Sequence, residues 1–384
     1  MKYIHHAILY TPTKKIDNGA LLIDGESISA VGSASDLPCP AGAKRIDAQG
    51  LRLAPGFIDL QINGAFGLDF TANPETIWQV GENLTRFGVT AFLPTLVSSP
   101  LQTVKEAQGV LQKGSPSGYH GARPLGLHLE GPFLNPAKCG AHDPSCLLLP
   151  DLKLIQHWSP ESNVRMATLA PELPGAIQVV KKLVKQGVVV SAGHSLANFD
   201  EAQQGFAAGI RYGTHLFNAM PPLDHRHPGL AGALLVDPRP IVGMIVDGIH
   251  LHPSTISLAW RALGAQRTSL VTDAMAALGM PPGEYNLGGR SVLVDGYSAR
   301  LADGRLAGSL LSLDQALRNL VAFTGCTLIE ALATVTHVPA ALLGLDAHFG
   351  MLVPGANADL VWLTPDMQVV QTWINGAPVY VTGD

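Results

Sequence analysis

The chain predicts an α/β fold, a (β/α)8 barrel of TIM type with a small β-sandwich formed by both chain termini. Three observations predict it. Between residues 53 and 349, short apolar runs alternate with amphipathic stretches, as expected of βα units around a parallel sheet. Eight such runs can be counted, which fits a barrel better than a doubly wound sheet. Residues 1–52 and 350–384 read instead as short strands and tight turns, so the two ends are expected to build one small β unit.

At the N-terminal end, runs at His6–Tyr10, Gly19–Ile23 and Ser27–Val31 surround Asp24-Gly25, a hairpin signal. Asp359–Leu363 and Val369–Ile374, with the turn Asn375-Gly376, repeat that style near the C-terminus. The eight candidate barrel strands are 53–60, 89–97, 124–130, 164–169, 187–193, 211–216, 241–247 and 268–272. Helices fit between them. Phe199–Ala208 is one, with Asn198 as N-cap and Glu201 at the third helical position. A hairpin around Tyr285–Leu306 interrupts the last unit and reads as a flap.

Bulk properties narrow the function. The 384 residues are 47% hydrophobic and 14% charged, enough for a large buried core. A net charge of −5 gives no support for binding nucleic acid or an anionic membrane. Nowhere do 18 apolar residues run together, and the first residues lack the apolar stretch of a signal peptide. Four cysteines in so long a chain do not make a disulfide framework, and free thiols in a reducing cytoplasm are the expectation.

In such a barrel the chemistry lies at the C-terminal ends of the strands. The third, fifth and sixth strands end at Glu130, His194 and His215, one carboxylate and two imidazoles on one rim. That set, with a fourth position open, suits a catalytic Zn²⁺, and Fe²⁺, Co²⁺ or Mn²⁺ are compatible with it. Asp273 ends the eighth strand as a candidate general base, although an Asp there also serves as a helix N-cap.

These residues resemble a known family. Pro55-Gly56-Phe57-Ile58-Asp59, the two strand-end histidines and Thr272-Asp273 look like the amidohydrolase superfamily. The closer resemblance is to N-acetylglucosamine-6-phosphate deacetylases. It is carried by His128-Leu-Glu-Gly-Pro-Phe133, Gly193-His194-Ser195, Thr214-His215-Leu-Phe-Asn-Ala-Met-Pro221, Asp247-Gly-Ile-His250 and Val271-Thr-Asp273-Ala274. The resemblance implies a metal held by Glu130, His194 and His215, with Asp273 as catalytic acid and base. It places Ala141, His142, Asn218, Ala219 and His250 against the substrate, under a loop of Leu306, Ala307 and Gly308. Arg226 matches an arginine that, in family dimers, reaches the neighbouring subunit's phosphate; a homodimer is therefore implied.

One departure bears on the metal count. Many amidohydrolases carry His-x-His at the end of the first strand, where this chain has Gln61 and Asn63. Neutral amides are weaker ligands, and Val164–Leu169 offers no lysine to bridge two ions, so one metal is expected. Three alternatives stay open at this point. They are a deacetylase for the galacto epimer, a cyclic-amide hydrolase of dihydroorotase type, and an inactive scaffold that kept only the fold.

Overall fold

The computed structural model describes residues 1–383. Its centre is a parallel barrel. We number its strands β1 (Phe57–Ile62), β2 (Val89–Val97), β3 (Leu127–Glu130), β4 (Val164–Leu169), β5 (Val189–Ala192), β6 (Tyr212–Gly213), β7 (Ile241–Met244) and β8 (Thr268–Leu270). Each pairs in parallel with the next. Closure comes just past β8, where Ala274 bridges Ile62. There Asp273 N–H donates to Gln61 O at 2.8 Å and Asn63 N–H to Ala274 O at 2.8 Å.

Several strands differ from their expected spans for physical reasons. The run 53–60 divides at Gly56: Arg52–Pro55 joins the terminal sheet and β1 joins the barrel. Glycine is required there, since a Cβ would lie 2.0 Å from Thr90 Oγ1. The run 124–130 is broken after Arg123–Pro124, and Gly126 takes φ +124° before β3 begins. β5, β6 and β8 stop short of the expected ends, and two or three residues beyond them His194, His215 and Asp273 take φ of +48°, +29° and +46°. That turn points functional side chains off the strand ends rather than into the wall.

The termini form one eight-stranded sheet. Its halves meet where Arg52–Pro55 runs antiparallel to Leu360–Leu363. Ile4, Leu9, Leu21, Leu53, Leu360, Trp362 and Trp373 fill its core, and Trp362 stacks on Trp373 at 5.5 Å. The expected flap is a three-stranded sheet of Gly283–Leu287, Arg290–Val294 and Ala299–Arg300. Leu287, Val292 and Ala299 pack it onto Val97 and Met275 beside the rim. The helix Phe199–Ala208 carries the expected capping box. Among the described residues no helix is long and apolar enough to cross a membrane, and all four cysteines are free.

Candidate active site

β3, β5 and β6 bring Glu130, His194 and His215 together at the barrel mouth, all buried. Glu130 Oε1 lies 3.2 Å from His194 Nε2 and 3.0 Å from His215 Nε2, and the two nitrogens are 3.0 Å apart. His194 Nδ1 faces Lys138 O at 2.8 Å, so it carries the proton and leaves a lone pair on Nε2. With the His194 Nε2 lone pair and the Glu130 carboxylate turned to one point, the three atoms need a proton or a metal ion among them. Ligands about 2.1 Å from a tetrahedral ion sit about 3.4 Å apart, a few tenths of an ångström wider than the observed 3.0–3.2 Å triangle. The residues therefore fit a divalent metal.

His142 has the opposite tautomer. Ser98 N–H donates to its Nδ1 at 3.0 Å, which puts the proton on Nε2, 3.3 Å from Glu130 Oε2. Burial, opposed by Glu130, holds the His142 pKa below the usual histidine value, so the ring is neutral near pH 7. His142 thus presents an N–H and His194 a lone pair to Glu130, although both are histidines of one cavity. Burial also works against a charged Glu130, but the surrounding histidines hold it well below the usual carboxylate range.

Asp273 stands across from this cluster. Its Oδ1 accepts from Asn63 Nδ2 at 2.8 Å and Gln61 Nε2 at 3.2 Å, while Gln61 Nε2 also lies 2.9 Å from Glu130 Oε1. Among the described residues no donor reaches Oδ2. Burial and the nearby Glu130 charge raise the Asp273 pKa. Beneath it, Asp59 accepts from Thr272 Oγ1 at 2.6 Å, and burial pushes its pKa up to about 7. His250 is tied to Asp247 at 2.6 Å; burial opposes the Asp247 charge, yet His250 keeps that carboxyl below its ordinary value.

A cavity of about 340 Å³ joins most of the expected residues: Glu130, Ala141, His142, His194, His215, Asn218, Ala219, His250, Asp273, Leu306 and Gly308 all line it. Ala307 does not; it is buried behind the wall, its N–H bound to Ala299 O. Arg226 lies outside as well, on an exposed loop beside Pro221 and Asn198.

Three contributors were not assigned from sequence. Gln61 and Asn63 were read as missing ligands, yet they orient Asp273 through its Oδ1. Lys138 lines the cavity, and its ammonium donates to Met220 O at 2.9 Å. Among the described residues it has no carboxylate partner, whereas Arg305 in the same wall is paired to Asp303 at 2.6 Å. Gln-x-Asn could have been found by asking what an amide donor does beside two carboxylates. Nothing in the sequence distinguishes Lys138 from other lysines.

Comparison with known proteins identifies the family and the fold. A match to the Amidohydrolase family covers residues 52–379. The human N-acetylglucosamine-6-phosphate deacetylase is 41% identical over 353 residues, 88% of this chain and 85% of that one. An N-acetylgalactosamine-6-phosphate deacetylase of Escherichia coli O157:H7 is 38% identical, covering 88% and 90%. The crystal structure of N-acetylglucosamine-6-phosphate deacetylase from Pasteurella multocida superposes with a TM-score of 0.92 at 32% identity, covering 98% and 99%. A mutant of the Mycobacterium smegmatis enzyme, solved in complex with N-acetyl-D-glucosamine-6-phosphate, superposes at 0.89 with 35% identity, covering 99% of each chain. The chain belongs to the amidohydrolase family, in the group that contains the N-acetylglucosamine-6-phosphate deacetylases.

Proposed function

We propose that this enzyme hydrolyses N-acetyl-D-glucosamine 6-phosphate to D-glucosamine 6-phosphate and acetate. One observation carries the reading: a Glu130–His194–His215 triangle faces an isolated Asp273 oxygen across a cavity that also holds the donor His142. Glu130, His194 and His215 would hold one divalent ion, and Zn²⁺ suits the donor set best. Such an ion supplies Lewis acidity and makes water nucleophilic near neutral pH.

The remaining chemistry belongs to the protein. Asp273 Oδ2 takes a proton from the attacking water as the new C–O bond forms at the acetyl carbon. His142 Nε2–H donates to the carbonyl oxygen as negative charge builds there. The C–N bond then breaks, and Asp273 returns the proton to the sugar nitrogen, the leaving group that an amide otherwise lacks. Asn218, Ala219, His250 and the loop at Leu306 hold the sugar and fix the amide between Asp273 and His142.

Arg226, outside its own chain's cavity, would complete the phosphate site of a second subunit in a homodimer. A phosphorylated sugar does not cross a bilayer unaided, so we place the enzyme in the cytoplasm. The test is acetate release from N-acetylglucosamine 6-phosphate, with the unphosphorylated sugar as control and metal content measured in parallel. Phosphate-dependent release with about one metal per chain is expected; a filled metal site without release would overturn the substrate. The galacto epimer belongs in the same assay, because the E. coli galactosamine enzyme is nearly as similar as the human glucosamine enzyme.

A further inference from the structure

Asn63 has one half of its amide engaged and the other half idle. Its Nδ2 donates to Asp273 Oδ1 at 2.8 Å, while its Oδ1 is buried with no hydrogen-bond partner. The side-chain assignment is fixed by chemistry, since a flipped amide would set oxygen against an ionised carboxylate oxygen. Buried acceptors are almost always paired, so an orphan in a catalytic cavity marks a place where a donor arrives with the ligand. Asn63 is only 2% exposed and lines the same cavity as Asp273, His142 and the metal triangle.

The substrate's donor for this place follows from what Asp273 does. Asp273 must reach the amide nitrogen to protonate it, and Asn63 is bonded directly to Asp273. A nitrogen within reach of Asp273 Oδ2 is therefore near the Asn63 carbonyl, and an N-acetyl amide carries one N–H to give. We propose that Asn63 Oδ1 accepts a hydrogen bond from the N–H of the scissile amide and so turns that nitrogen towards Asp273. This rests on the deacetylase reading above. As the acetyl carbon becomes tetrahedral, the nitrogen lone pair forms opposite its substituents; pinning the N–H fixes where that lone pair points. The Gln-x-Asn sequence then does more than replace two metal ligands, for Gln61 braces Glu130 against Asp273 and Asn63 reads the nitrogen.

The experiment separates this contact from a purely scaffolding role by equilibrium binding without turnover. In the Asp273→Asn background, affinities are measured by calorimetry for N-acetylglucosamine 6-phosphate and for its 2-O-acetyl analogue, which lacks the N–H. The ratio of the two affinities should shift against the amide by about 3–10-fold when Asn63→Ala is added, the worth of one neutral hydrogen bond. Asn63→Ser serves as a second variant if the alanine form does not fold, with metal content and melting temperature as checks. An unchanged ratio, with both ligands weakened equally or not at all, would overturn the proposal and leave Asn63 as support for Asp273 alone. Failure of the deacetylase reading looks different: the unaltered protein would then release no acetate from the amide.

Discussion

In the terminal sheet, Ile4, Leu9, Leu21, Leu360, Trp362 and Trp373 pack apolar against apolar, and among the described residues the Trp362 indole is its one buried polar group without a partner. At the barrel rim the same chain buries Glu130, His142, His194, His215 and Asp59 within one neighbourhood, with Asp273 half-buried beside them. Both regions contain non-glycine residues at positive φ, but they differ in place. In the sheet these are His6, Asn18, Gln49, Met367 and Asn375, at bulges and turns; at the rim they are His194, His215, Phe217, Ala219 and Asp273, in and around the Glu130–His194–His215 cluster. The sheet is arranged for stability, whereas the rim holds charge and strain that the surrounding barrel sustains. Substitutions should therefore separate the two regions cleanly.

His194→Ala should have the largest effect. It removes one of three metal ligands, so metal and activity should vanish together, with turnover down more than about 10³-fold. Elemental analysis beside the acetate assay checks it; full metal retention would reject His194 as a ligand. Asp273→Asn comes next. It should keep the metal and lose about 10²–10⁴-fold in kcat, the usual worth of a general acid–base group. Near-normal turnover would remove Asp273 from its role.

Asp59 tests whether the rim carries a stability cost. Its folded pKa of about 7 stands above the ordinary 3.8 because burial disfavours the charge. Its contribution to stability is then fully present below about pH 4 and is lost as pH rises through about 7, a change on the order of 4 kcal/mol. Denaturant melts of wild type and Asp59→Asn between pH 4.5 and 8 should diverge across that window, wild type losing ground as pH rises. Parallel curves would mean that Asp59 is ionised throughout. Leu360→Ala, in the terminal sheet, should cost about 2–5 kcal/mol of stability and leave kcat and metal content of the folded protein unchanged. A fall in kcat without a fall in stability would erase the contrast between the regions.

The two regions were not equally legible in the sequence. The barrel was visible because each βα unit repeats the same apolar period, and the Glu130–His194–His215 cluster because strand ends are where such folds place chemistry. Ends of strands were less visible: β5, β6 and β8 end at Ala192, Gly213 and Leu270, and His194, His215 and Asp273 beyond them adopt positive φ, which no local propensity encodes. The division at Gly56 depends on Thr90, 34 positions away in sequence, so only the packed barrel reveals it. Histidines looked alike in sequence, and their tautomers are set by Ser98 N–H and Lys138 O, backbone groups from distant segments. Asn63 was read for the metal ligand it lacks; the acceptor it offers became apparent only beside Asp273.

Lys138 gives the smallest effect and the finest test. The cavity holds Glu130 and Asp273 and must admit a dianionic phosphate, so some cation has to balance it. Arg305 is already paired with Asp303, His250 is tied to Asp247, and Arg226 lies outside its own chain's cavity. Lys138 is half-buried, and its ammonium is held at Met220 O, beside Asn218 and Ala219 on the loop that follows β6. Lys138→Met should raise KM for the phosphorylated sugar about 3–10-fold, as expected for one charge-assisted contact near solvent. KM for the unphosphorylated sugar, kcat and metal content should stay put, because the Lys138 carbonyl that orients His194 is backbone and survives the substitution. Equal changes for both sugars would assign Lys138 to bracing the loop, and the phosphate would then depend on a cation from a second subunit.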